Sequence, residues 1–250
     1  MRRIYRTQIL RGGVMEVIDL GRKNYLETWQ LQKELLEKRI RGGIEDTLLF
    51  VEHHPVYTVG RGETATKTEI KVHKLGTVPV VEVERGGKIT FHGSGQIVGY
   101  PIFSLPHQDL RQYLKDLERT LVSTISEQTL LNAKPCPETL LLEPGQLQTG
   151  VWIRDKKVAS IGIAIKHWVT YHGFALNVST DLNYFEAIEP CGFSGQVITT
   201  LTKELGNNTN PLSLTTNLKR TLAAKFEALS VAYTSQAKNK TFPLSQLNAI

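Results

Sequence analysis

The sequence predicts an α+β fold with a mixed or antiparallel sheet and packed helices. Short apolar strands occur in runs, and the long stretches with helical periodicity stand apart from them rather than alternating with each strand. At 250 residues, with 40% hydrophobic and 22% charged content, the chain is long enough for a full core and fits one domain, residues 1–250, with 233–250 read as an irregular tail.

The elements follow from local pattern. Val14 to Ile18 reads as a first strand, and Tyr25 to Ile40 as a helix carrying Leu26, Trp29, Leu36 and Ile40 at helical spacing until Gly42-Gly43 stops it. Thr47 to Val51 and Val56 to Val59 read as buried strands interrupted by Pro55, and Arg61 to Lys74 as a polar surface loop. Val78 to Val83 is a further strand. Gly86-Gly87 turns into Ile89-Thr90-Phe91 and then Ile97 to Leu105, a meander-like run. Asp109 is placed to cap a helix whose Leu110, Leu114, Leu117, Leu121 and Ile125 form one apolar stripe, read as core. Three strands follow at Gly150 to Ile153, Lys157 to Ile165 and Val169 to Asn177, the first two joined by Arg154-Asp155-Lys156. Leu214 to Leu229 is a last helix with Leu218, Leu222 and Phe226 inward.

Composition narrows the function. No apolar run approaches the ~20 residues of a spanning helix, and the basic N-terminus lacks the apolar stretch of a secretory signal, so a cytoplasmic protein without a membrane partner is expected. Two cysteines without paired spacing signal neither a disulfide framework nor a zinc site. A net charge of +6 suits an acidic partner. Its Lys and Arg residues are scattered, however, and no stacking or finger motif is present, so nucleic acid is not expected.

Three constellations carry chemistry. In Arg85-Gly86-Gly87-Lys88-Ile89-Thr90-Phe91-His92-Gly93-Ser94-Gly95, glycines permit close backbone approach to a ligand while Arg85, Lys88 and His92 supply donors; a pair of hairpin turns accounts for the same glycines. Lys157-Val158-Ala159-Ser160-Ile161-Gly162 and Tyr171-His172-Gly173-Phe174-Ala175-Leu176-Asn177 suit strands lining a narrow cleft, and equally core strands. Glu189-Pro190-Cys191-Gly192-Phe193 sets a thiol in a tight turn, although a lone cysteine is often only a small buried hydrophobe. Cys136, between two prolines, reads as structural.

Together and in this order, the Arg85-Gly86-Gly87-x-x-Thr90-x-His92-Gly93, Lys157 to Gly162, His172 to Asn177 and Pro190-Cys191-Gly192 motifs resemble the lipoyl(octanoyl) transferases over most of the chain. The resemblance implies the biotin and lipoate protein ligase fold, no cofactor, and transfer of an octanoyl group from octanoyl-acyl carrier protein to a lysine of lipoyl domains. The implied acceptors are the lipoyl domains of 2-oxoacid dehydrogenases and the glycine cleavage H protein. It matches Cys191 to the acyl-accepting cysteine and Lys157 to the lysine that activates it. Arg85 to His92, Ser160 to Gly162 and Gly173 to Ala175 match substrate-binding segments. Ser94 departs from the family's usual proline and bears on the stiffness of its loop.

The chemistry agrees, because a thioester donor and an amine acceptor carried by different proteins suit a covalent relay. A free thiol titrates near ~8.5, and a neighbouring ammonium lowers this. His92 and His172 are candidates for orientation or proton shuttling, and for plain structural hydrogen bonding. An ATP-dependent lipoate or biotin ligase needs no cysteine, a lipoyl-relay amidotransferase differs only in its donor, and a non-catalytic carrier-binding module would leave Lys157 and Cys191 idle.

Overall fold

The computed structural model describes residues 15–62, 78–136, 149–188, 197–206 and 209–238. β1 (Met15–Lys23) leads through α1 (Tyr25–Ile40) to β2 (Asp46–His53), and the two strands pair in parallel. α1 is therefore a crossover lying on one face of the sheet. It begins where the Asn24 side chain accepts from Leu26 N–H, and its apolar residues Leu35 and Leu36 pack on Leu49, Val51, Val98 and Tyr100. Leu36 faces inward with Trp29 and Ile40 packed on core clusters, as the spacing suggests, but the start of the helix departs from it. Leu26 is 53% exposed, while Gln32 is fully buried.

β3 (Val56–Val59), β4 (Val80–Glu82) and β5 (Ile89–His92) form a separate sheet in the order β4-β3-β5. β6 (Gln96–Ile102) returns to the main sheet, so the expected meander from β5 into β6 does not form. The intervening turn redirects the chain: Gly95 has φ of 78°, and its carbonyl accepts from Val178 N, Ser179 N and the Thr180 hydroxyl. These bonds, with Gly95 N–H donating to Glu52 Oε2 at 3.0 Å, fix the turn whatever residue stands at the exposed Ser94.

α2 (Leu110–Thr129), capped by Asp109 as expected, is followed by β7 (Ala133–Pro135), β8 (Gly150–Ile153), β9 (Lys156–Lys166) and β10 (Val169–Asn177). α3 (Asn183–Glu186), α4 (Leu201–Leu205) and α5 (Pro211–Lys238) complete the described chain. The main sheet runs β1-β2-β6-β10-β9-β8-β7. α2 and α5 cover its second face, where Leu117, Leu121, Leu218, Leu222 and Phe226 pack on Phe50, Phe103 and Phe174. Burial of each such side chain contributes about 1.5–3 kcal/mol.

The last helix extends beyond the tail boundary expected at residue 233 and reaches Lys238. Two tethers account for this. Ser230 Oγ donates to Asp46 Oδ2 at 2.8 Å, and Tyr233 Oη donates to Asp116 Oδ2 at 2.9 Å. Asp46 is itself a buried junction, its Oδ1 accepting from Arg39 Nε and Ser104 N. The Arg61 to Lys74 loop lies largely outside the described residues, as does the tail beyond 238.

Candidate active site

The glycine loop is held down on β9 and β3. Gly86 N–H donates to Ile163 O at 2.9 Å, while Gly62 N–H and Arg61 N–H donate to Gly87 O and Arg85 O. Arg85 is 7% exposed, and its guanidinium donates to Gly86 O, Lys88 O, Thr58 O and Thr58 Oγ1 at 2.6–3.0 Å. It thus clasps the loop rather than presenting a free cation to a ligand. Gly162 is required beneath it, because a Cβ there would stand 3.0 Å from Arg85 Cδ and Gly86 O.

Between this loop, Tyr25 at the start of α1 and strands β6, β9 and β10 lies a cleft of about 450 Å³, open mouth included. Its wall contains Arg85, Gly87, Thr90, His92, Ser160, Ile161, Gly162, His172, Gly173, Phe174 and Ala175, all expected from the sequence. Tyr25, Val98 and Tyr100 line it as well and were not singled out. Other expected residues lie elsewhere. Gly86 is on the exposed outside of the loop, Lys88 is half-buried beside it, and Ile89 and Phe91 belong to a core cluster with Tyr57 and Phe185.

A buried hydrogen-bonded chain supports the cleft, and its donors assign themselves. Arg85 donates to Thr58 Oγ1, leaving the Thr58 hydroxyl to donate to His92 Nε2 at 3.2 Å. His92 Nδ1–H then donates to Gln96 Oε1 at 2.9 Å, and the Gln96 amide donates to Phe91 O and Asn177 Oδ1. His53 donates from Nδ1 to Lys23 O and accepts at Nε2 from Tyr100 Oη at 2.8 Å. Burial is the main cause that lowers both rings, His53 to about 4 and His92 to about 3, so they are neutral at physiological pH.

His172 differs from these two. It has φ of 57° in the middle of β10, its N–H donates to Gln32 Oε1 at 2.9 Å, and neither ring nitrogen makes a hydrogen bond. Burial, then the Arg85 charge, lowers it to about 4, opposed by Glu84, whose Oε2 stands 3.5 Å from Nε2.

Lys157 is 4% exposed on β9. Its side chain runs back along β8, because a Cβ on Gly150 would lie 2.5 Å from Lys157 Cε and 3.2 Å from Nζ. Gly150 pairs with Ser160, which places the amine near the Ser160 end of the cleft. Gly150 N–H donates to Glu118 Oε1 at 2.9 Å. Burial raises the Glu118 carboxyl above its usual range, offset in part by this bond and by the Lys157 charge. Glu118 sits beside the apolar stripe of α2, and periodicity gives no mark of its position.

The structure does not bring the expected residues to one point. By register His172 faces Ile163, three residues along β9 from Ser160, whose partner Gly150 the Lys157 amine lies against, or about 10 Å at ~3.3 Å per residue. His172 therefore makes no direct contact with the Lys157 amine. Cys191 lies outside the described residues, whereas Cys136 is half-buried just after β7. Seven residues beyond Cys191, the chain is fastened to the lysine: Ile198 bridges to Lys157, and Thr199 N–H donates to Lys157 O at 2.9 Å.

The sequence and the fold have known relatives. The family described as lipoyl protein ligase A/B catalytic domain matches residues 24–226. The octanoyltransferase of Rubrobacter xylanophilus is 42% identical over 191 residues, covering 74% of this chain and 81% of that protein. That of Geotalea uraniireducens is 37% identical over 218 residues, covering 85% and 92%. Among solved structures, lipoate-protein ligase A bound with ATP aligns with a TM-score of 0.64 over 86% of each chain. A putative lipoate protein ligase from T. acidophilum with bound lipoic acid aligns with a TM-score of 0.63 over 78% of this chain and 80% of that one. Both are 16% identical and share the fold. On the extent of the family match and the identity to these relatives, the chain belongs to the lipoyl protein ligase A/B catalytic domain family and, within it, to the octanoyltransferases, which are acyltransferase enzymes.

Proposed function

We propose that this octanoyltransferase takes its acyl group from octanoyl-acyl carrier protein and delivers it to a lysine of lipoyl domains, through a thioester on Cys191. The observation that carries this reading is the buried Lys157 side chain lying against Gly150, whose strand partner Ser160 lines a largely apolar cleft, with the chain that follows Cys191 fastened to Lys157 at Ile198 and Thr199. In the first step the Cys191 thiol gives up its proton and its sulfur attacks the octanoyl carbonyl. The carrier thiol leaves with a proton. In the second step the acceptor amine attacks the enzyme thioester, an amide forms, and the thiol is restored. Lys157 supplies the ammonium that favours thiolate and handles the transferred proton, and Glu118 lies in the same field.

Acceptors of this kind include lipoyl domains of 2-oxoacid dehydrogenases and the glycine cleavage H protein. A net charge of +6 favours encounter with acidic carrier and lipoyl domains. The test is transfer from purified octanoyl carrier protein to a purified lipoyl domain with no nucleotide present. Product should form at full rate without ATP and be lost in Cys191→Ser. Transfer only on addition of ATP would establish a ligase instead.

A further inference from the structure

The cleft has a polar end that the transfer chemistry leaves unused. His172 lines it, is 1% exposed, and has no hydrogen bond at either ring nitrogen. Behind it Gln32 is fully buried, with its Oε1 taken by His172 N–H and its side chain beside the Tyr100 hydroxyl. Buried polar atoms without partners are rare because each loses its solvation for nothing. The positive φ of His172 adds backbone strain at the same place, and such strain concentrates where a side chain must meet a ligand.

The register shows what reaches this end. The Lys157 amine lies against Gly150, which pairs with Ser160, and His172 pairs with Ile163, three residues further along β9. At ~3.3 Å per residue the separation is about 10 Å. An extended octanoyl tail of seven C–C bonds, each ~1.5 Å and advancing roughly 1.3 Å, spans about 9 Å. A chain whose carbonyl sat at the amine would be long enough to reach the imidazole.

We infer that His172 is a polar stop that sets acyl chain length, and that it admits a chain end bearing a hydroxyl in preference to a longer apolar chain. Glu84 and Gln32 are its positioning residues. Glu84 Oε2 faces the ring at 3.5 Å, and its carboxylate is held by Trp29 Nε1 at 3.1 Å and Lys33 Nζ at 3.3 Å. Each CH₂ placed in the apolar part of the cleft strengthens binding about fourfold. Carbons beyond the eighth would press on the buried imidazole instead, so the gain stops. A terminal hydroxyl, which in an apolar groove weakens binding about tenfold or more, here meets an imidazole able to donate or accept.

The inference rests on the reading that places the reacting carbonyl at Lys157, but its test needs no transfer. Binding of free fatty acids of six to twelve carbons, and of 8-hydroxyoctanoate, is measured by calorimetry on the native protein and on His172→Ala and His172→Phe. Native affinity should rise about fourfold per carbon to eight carbons and then level off, whereas His172→Ala should keep rising to at least ten. The native protein should bind 8-hydroxyoctanoate within about threefold of octanoate, and His172→Phe should disfavour it about tenfold or more. A continuous native rise through twelve carbons overturns the inference, as does a tenfold native penalty for the hydroxyl. Both are read without the variants, should these fail to fold. An unchanged length profile in folded His172→Ala also overturns it. Loss of the Cys191 relay would leave these binding ratios readable, so the two failures are distinguishable.

Discussion

Replacing Gly150 with alanine tests the position of the Lys157 amine without touching a reacting group. The added Cβ would stand 2.5 Å from Lys157 Cε and 2.5 Å from Ala159 O. Carbon atoms rest ~3.5–4.0 Å apart, so the end of the lysine must move about 1 Å. The backbone carbonyl opposite gives way less readily than the side chain does. A displacement of that size at a catalytic group costs about 10²-fold in rate, equivalent to ~2.7 kcal/mol of barrier. The φ of 149° at Gly150 adds strain of about 1–3 kcal/mol to the folded state for a residue with a side chain. Gly21→Ala is the control: Gly21 has φ of 62° with nothing within 4 Å of an added Cβ, so it carries backbone strain without a clash. Single-turnover octanoyl transfer, measured at a temperature where melts show both variants folded, should fall about 100-fold in Gly150→Ala and stay near native in Gly21→Ala. A folded Gly150→Ala that transfers at close to the native rate would refute the placement of the amine or its role.

Acid should loosen the protein in a defined window. His53, His92 and His172 are held at about 4, 3 and 4 in the fold, against about 6.5 unfolded. Their folded values are depressed, so the stability they contribute is present above pH ~6.5 and is lost as pH falls towards the folded values, at ~1.4 kcal/mol per pH unit for each ring. Denaturant titrations from pH 7.5 down to 4.5 should show this slope, reduced by one proton in His92→Gln; a flat profile contradicts buried neutral rings. Lys157→Arg separates charge from proton handling, since arginine keeps the first and not the second. Cys191 alkylation at neutral pH should persist while turnover drops roughly 10²–10⁴-fold, and near-native turnover would rule out proton handling by Lys157.

Local pattern made several elements legible. The hairpin of β9 and β10 was readable because small and apolar residues alternate along both strands, and α1 because its apolar residues recur at helical spacing until Gly42-Gly43. Partition of the strands into two sheets was not readable. It depends on Gly95 O collecting three donors from residues 178–180, a contact between segments about eighty residues apart. The same division runs through the site. Glycine-rich motifs mark the walls of the cleft, and they meet because Gly86 bonds to Ile163. Arg85 looked like a ligand donor, yet its donors are turned inward to the loop and Thr58. His53, Gln32, Glu84 and Glu118 come from four different elements or loops and act through tertiary neighbours. For His53 and Gln32 a weak signal exists, a histidine ending an apolar strand before Pro55 and an amide on the buried face of α1. For Glu84 and Glu118 none does.

The central claim is that one thiol carries the acyl group between two proteins, and the intact mass of the enzyme after mixing with octanoyl carrier protein, with no acceptor present, tests it most directly. One octanoyl group should be added, peptide mapping should place it on Cys191, and a lipoyl domain supplied afterwards should remove it. Cys136→Ser should be labelled as the native enzyme is, and Cys191→Ser should stay unlabelled. An adduct on Cys136, or transfer to the lipoyl domain by Cys191→Ser, would contradict the account.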